Sequence, residues 1–87
     1  MHSIFDFRRQ IREHCKAKNY NEALSFFKAN KASFEISEIA KEYLLIADIV
    51  TCLRHTKHFD AAFIFLGNYG ITINENTPEV ILNAYAC

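Results

Sequence analysis

The chain has 87 residues, of which 51% are hydrophobic, 14% aromatic and 23% charged, with two glycines and one proline. This much apolar material excludes a disordered chain, and the scarcity of glycine and proline argues against a turn-rich β-sandwich. The net charge is zero, but residues 1–31 carry seven basic and three acidic side chains, whereas residues 32–87 carry three basic and seven acidic ones.

Apolar side chains recur at helical spacing in the first half of the chain, which predicts three helices there. Helix one is predicted at residues 3–16, with Ser3 as its cap, and helix two at residues 20–30. Helix three is predicted as one continuous element at residues 37–55. It is apolar nearly all round, which is typical of a central helix enclosed by several neighbours.

Two further helices are predicted in the second half. Helix four occupies residues 59–69, and Gly70 is placed to end it in the left-handed conformation. The apolar run at residues 71–74 is too short for a sheet of its own and is predicted to be a connector. Helix five begins with Thr77 as cap and Pro78 at the first helical position, and it runs to Cys87.

Residues 19–28 and 58–67 have similar patterns at a separation of 39 residues. The alignment pairs Tyr20 with Phe59 and Ala23 with Ala62. Each copy would be two antiparallel helices joined by a tight turn, and stacking of the hairpins would bury their apolar faces. We therefore expect one all-α domain over residues 1–87, a short α-solenoid of about five antiparallel helices. Its hairpins would lie at about 3–30 and 37–70, and helix 77–87 would cap them or open a third unit.

The pattern resembles the tetratricopeptide-repeat superfamily. The residues that carry the resemblance are Asn19-Tyr20-x-Glu22-Ala23-Leu24-x-x-Phe27 and Phe59-Asp60-x-Ala62-x-x-Phe65. Residues 52–85 are also similar to the pentatricopeptide repeat. The resemblance implies a non-catalytic scaffold that holds a peptide or protein in a groove lined by the first helix of each unit. In the pentatricopeptide case it implies RNA.

The shift of 39 residues also aligns Arg9 with Asp48, Arg12 with Thr51 and Lys16 with His55. These polar positions form one stripe on each first helix. The predicted partner-binding residues are Arg8, Arg9, Arg12, Lys16, Asp48, Thr51 and His55. The partner would be a protein or peptide, and an acidic partner is compatible with the basic residues, since arginine forks hold carboxylates or phosphates. An ordinary solvated helix face is the alternative. Nucleic-acid binding through the basic N-terminal cluster and self-association of the chain are two further readings.

The polar residues in apolar surroundings have simple expected roles. Asp48 should pair with Arg9 or Arg12, because an unpaired buried carboxylate is costly. Cys15 and Cys52 are predicted to be buried, inert thiols in a chain without a disulfide framework. The Cys52, His55 and His58 spacing matches no recognised zinc pattern, so we expect no metal.

Several function classes have no support in the sequence. A glycine-rich phosphate loop, a nucleophile elbow and a paired-cysteine motif are all missing, so we expect neither an enzyme nor a cofactor. No apolar run is long enough to span a membrane, and no signal peptide is recognisable. We therefore expect a cytoplasmic protein without a membrane partner.

Overall fold

The computed structural model describes residues 3–86, and these residues form six α-helices without a β-strand, so the predicted all-α class is confirmed. The helices are α1 (Ile4–Lys16), α2 (Tyr20–Asn30), α3 (Ile36–Ala40), α4 (Tyr43–His55), α5 (Phe59–Asn68) and α6 (Glu79–Ala86), with a 3-10 turn at Lys31–Ser33. Ser3 caps α1 as predicted, because its side-chain oxygen accepts a hydrogen bond from the backbone N–H of Asp6. Within residues 3–86, no helix has both the length and the apolarity that crossing a bilayer would require.

Helix α4 lies at the centre of the hydrophobic core. Helices α1, α2, α5 and α6 all pack against it. Its buried apolar side chains are Leu45, Ile46, Ala47, Ile49, Val50 and Cys52. The expectation of an enclosed central helix is therefore confirmed from Leu45 to Cys52, although Tyr43 and Leu44 at its start and His55 at its end are exposed.

The prediction of one continuous helix over residues 37–55 is wrong, because the chain breaks at Lys41 and Glu42. The backbone of Glu42 is not helical (φ −89°, ψ 80°). Its carbonyl accepts the first backbone hydrogen bond of α4, from the N–H of Ile46. Nothing local forces this break, since no glycine or proline lies nearby. Two tertiary contacts accompany it: Ile39 of α3 is buried in the core, and Arg8 of α1 forms an ion pair with Glu42.

Helices α1, α4 and α5 end in the same backbone arrangement, a Schellman motif. In each, one residue adopts a positive φ, and this residue is Lys18 (60°), Lys57 (63°) or Gly70 (70°). The N–H of that residue and the N–H of the next one donate to carbonyls of the last helical turn. The role predicted for Gly70 is confirmed. Lysine at the other two positions carries the steric cost of a side chain in the left-handed region.

Replacing Lys57 with glycine should therefore stabilise the protein. The relieved strain exceeds the extra chain entropy that glycine loses on folding, so we expect a gain of about 1 kcal/mol, or roughly 4–8 °C in Tm. Lys41→Gly is the matched control, because Lys41 is also an exposed turn lysine but has φ −80°. Thermal unfolding followed by circular dichroism should show opposite signs for the two variants. A lower Tm for Lys57→Gly would contradict the assigned turn conformation.

The start of α6 differs from the prediction. Thr77 does not cap the helix, because its hydroxyl donates to the carbonyl of Thr72 and accepts from the N–H of Asn74. Pro78 lies just before the first helical residue, and its carbonyl accepts from Ile81. Thr77 thus closes the 72–77 loop instead. The predicted helix end at Cys87 lies outside the described residues.

Candidate functional site

The predicted stripe on α1 lines a cleft of about 480 Å³ between α1 and α4. Periodicity explains its composition, since positions three and four apart share a helix face. From α1 the cleft includes all four predicted basic residues, namely Arg8, Arg9, Arg12 and Lys16, together with Phe5. From α4 it includes Leu44 and Asp48. The first cleft therefore places guanidinium and ammonium groups beside two exposed apolar side chains.

A second cleft, of about 530 Å³, continues along α4. It contains the remaining predicted residues, Thr51 and His55, while residues of α6 and the start of α5 complete its lining. The residues from these two helices are Phe59, Val80, Asn83 and Ala84. The two clefts share Arg12 and Asp48. We call the two clefts together the α1–α4 groove, and all seven predicted partner-binding residues line it.

Arg12 and Asp48 form an ion pair where the two clefts meet, so of the two predicted partners, Arg9 and Arg12, Asp48 pairs with Arg12. Nη1 of Arg12 donates to Oδ1 of Asp48 at 2.8 Å. The Asp48 side chain is only 9% exposed, whereas the Arg12 side chain is 57% exposed. Burial raises the pKa of the Asp48 carboxyl above its ordinary value, and the neighbouring Arg12 charge offsets only part of that effect.

The second oxygen of this carboxylate has an unusual environment. Within residues 3–86, Oδ2 of Asp48 is buried and accepts no hydrogen bond. A buried acceptor without a donor costs about 1–3 kcal/mol, and more when it is charged. Asp48, which lines both clefts, therefore carries a buried acceptor without a donor.

The other two arginines of α1 also face carboxylates of their own chain. Arg8 contacts Glu42 at 3.0 Å and Arg9 contacts Asp6 at 3.1 Å. Arg8 also lies over the Phe5 ring, 5.5 Å from its centroid, and this cation–π contact supports an otherwise exposed aromatic side chain. The Arg9 pair is well exposed and so contributes little stability, which leaves Arg9 able to exchange its partner.

Comparisons with protein-family models, curated proteins and solved structures find no match to this chain.

The histidines of the α4–α5 turn have partners of different kinds. His55 stacks on Tyr20 with parallel rings and centroids 4.4 Å apart, while Nδ1 of His58 shares a hydrogen bond with the Thr56 hydroxyl. Among residues 3–86, no three His, Cys, Asp or Glu side chains lie together in a way that could hold a metal ion. His55 thus lines the second cleft while its ring is held against Tyr20.

Sequence reasoning missed the apolar residues of the groove. Phe5 is 63% exposed, Leu44 53% and Phe59 57%. A signal for the first two was present, because extending the polar stripe by one helical turn toward the N-terminus reaches Phe5 on α1 and Leu44 on α4. These two positions are also 39 residues apart. Large exposed apolar side chains beside a groove are typical of an interaction surface.

Proposed function

We propose that this chain is a non-catalytic interaction module that binds a peptide segment of a protein partner in the α1–α4 groove. One observation carries the proposal: two adjoining clefts share the Arg12–Asp48 pair and are flanked by exposed apolar side chains. Arginine and aromatic residues around a partly desolvated centre are the composition of protein-binding hot spots.

The preferred segment combines acidic and apolar side chains. Arg9, Arg12 and Lys16 would donate to its carboxylates, and Phe5 and Leu44 would cover its apolar residues. Charge-assisted hydrogen bonds at the edge of a groove provide orientation, whereas the apolar contacts provide most of the affinity.

We also propose that the architecture is a degenerate stack of two helical hairpins of the tetratricopeptide kind. Two regularities at the 39-residue shift support it. The left-handed lysines that end α1 and α4 are Lys18 and Lys57. The buried positions also correspond, in the pairs Phe7 with Ile46, Ile11 with Val50, Ala23 with Ala62, and Phe27 with Leu66. In such a stack the first helices α1 and α4 line one surface, which is where the groove lies.

RNA binding through the basic N-terminal cluster stays a prediction from the sequence. The side chains that line the first cleft favour a protein partner over RNA. Nucleic-acid affinity depends mainly on neutralised phosphates, and the basic side chains of the first cleft lie among the carboxylates of Asp6, Glu13 and Asp48. The exposed apolar side chains of Phe5 and Leu44 add contacts that a peptide can use and a phosphate backbone cannot.

The test is selection of a random twelve-residue peptide library on the immobilised full-length chain. We expect the selected peptides to be enriched in acidic and large apolar residues. The double variant Arg9→Glu/Lys16→Glu should weaken a selected peptide roughly 30-fold, because two contacts of about 1 kcal/mol each are lost. The matched control is Lys28→Glu/Lys31→Glu, which makes the same charge change in a cleft between α2 and α5.

Fluorescence anisotropy with labelled peptide gives the dissociation constants for all three proteins. Equal affinity for the Arg9/Lys16 variant and the original chain would contradict the proposed groove. Loss of affinity only in the Lys28/Lys31 control would move the binding surface to the α2–α5 cleft. Retention of a random RNA pool at low salt, with no peptide selected, would favour the nucleic-acid reading instead.

A further inference from the structure

Cys15 and Cys52 lie much closer together than the sequence suggests. Their sulfur atoms are 3.2 Å apart across the α1–α4 contact, although the residues are separated by 37 positions in the chain. Cys15 follows Arg12 by one helical turn on α1, and Cys52 follows Asp48 by one helical turn on α4. The two thiols therefore lie one turn beyond the Arg12–Asp48 ion pair. The prediction of buried thiols is correct for Cys52, but Cys15 is only partly buried.

The two sulfurs have different chemical environments. Cys52 is fully buried, whereas solvent reaches Cys15. A hydrogen bond from the Cys52 thiol lowers the pKa of Cys15 and outweighs its partial burial. That same hydrogen bond, together with burial, raises the pKa of Cys52. A more acidic, accessible thiol beside a protonated one is the arrangement of an attacking and a resolving cysteine.

We propose that Cys15 and Cys52 form a reversible oxidation site, at which hydrogen peroxide converts the two thiols of the folded chain into a disulfide. The sulfurs need to approach by about 1.2 Å to reach bonding distance. The proposal concerns the thiols alone and does not depend on the peptide-binding function.

The reaction proceeds in two balanced steps. The Cys15 thiolate attacks one peroxide oxygen, the O–O bond breaks, and the released hydroxide takes up a proton to give water and a Cys15 sulfenic acid. The Cys52 sulfur then attacks the Cys15 sulfur. The S–O bond breaks, and the leaving hydroxyl takes the Cys52 proton and departs as a second water. Two thiols are oxidised, one peroxide is reduced, and a dithiol reductant reverses the change by thiol–disulfide exchange.

The test uses the full chain with Cys87→Ser, so that only this pair can react. After brief treatment with equimolar hydrogen peroxide, alkylation and intact mass measurement, we expect the loss of two hydrogens and no alkylated cysteine. Trypsin should release residues 13–16 linked to residues 42–54. The disulfide should raise Tm by roughly 10 °C or more, since it closes a long loop.

Two controls show whether disulfide formation requires both cysteines and the folded structure. Adding Cys15→Ser or Cys52→Ser should leave one thiol that forms no intramolecular link. Disulfide formation should be at least about 10-fold faster in the folded chain than in guanidinium chloride, because folding holds the sulfurs together. Two alkylatable thiols after peroxide treatment of the folded Cys87→Ser protein would overturn the proposal, as would equal rates in the folded and denatured chain.

Discussion

Replacing Phe7 with alanine is expected to lower the free energy of unfolding by about 4 kcal/mol. The Phe7 side chain is fully buried, and its ring centroid lies 5.6 Å from that of Phe27 and 5.1 Å from that of Phe34. Truncation would remove these ring contacts and leave a cavity where α1, α2 and the segment before α3 meet. A domain of this size has roughly 4–13 kcal/mol of stability, so the loss would remove between about a third and nearly all of it.

Urea unfolding followed by circular dichroism measures this effect. Phe5→Ala is the matched control, because Phe5 lies on the same helix but is 63% exposed, and its loss should cost less than about 0.5 kcal/mol. Equal costs for the two variants would mean that α1 does not face the core through Phe7.

Replacing Arg12 with alanine is expected to destabilise the protein by about 2 kcal/mol at pH 7. Removing one partner of a buried pair costs about 3–5 kcal/mol, and the exposure of Arg12 reduces that figure. The cost arises from the Asp48 carboxylate, which would remain buried without its nearest positive charge.

The ionisation of Asp48 determines how the cost of Arg12→Ala varies with pH. The pKa of Asp48 in the folded chain is raised above its ordinary value of 3.8. The folded state therefore binds the proton more tightly, and stability falls as pH rises from the unfolded value through the folded one. Removing Arg12 raises the folded pKa further, so the penalty of Arg12→Ala should be large at pH 7 and small near pH 4.

Two control variants separate this explanation from a general loss of packing. Arg9→Ala should cost less than about 0.5 kcal/mol at either pH, because the Arg9–Asp6 pair is exposed. In an Asp48→Asn background, Arg12→Ala should also cost little, since no buried charge remains. A cost of Arg12→Ala that is independent of pH, or unchanged by Asp48→Asn, would contradict the assigned role of the pair.

Hydropathy spacing was sufficient to predict the helical class and most helix positions. The bounds of α1, α2 and α5 follow from apolar residues three and four apart, and α4 is buried because it is apolar on nearly every side. The Arg12–Asp48 pair was also predictable in outline, because both residues occupy the polar stripe of a first helix. These features depend on local sequence or on one repeated register.

The features that sequence reasoning missed depend on contacts between distant residues. The break at Lys41 and Glu42 has no glycine or proline to mark it, and it accompanies the Arg8–Glu42 pair and the burial of Ile39. The Cys15–Cys52 contact does not follow the 39-residue register, since that shift aligns Cys15 with Arg54. Only the way in which α1 crosses α4 brings the two sulfurs together.

Chemical-shift mapping of the ¹⁵N-labelled chain with a peptide selected for binding tests the proposed groove most directly. We predict that the shifted amides belong to α1 and α4 and centre on Arg9, Arg12 and Thr51, with smaller changes near Phe59. Shifts confined to the cleft between α2 and α5, around Leu24 and Ile64, would show that the partner binds elsewhere and would contradict the function proposed for the α1–α4 groove.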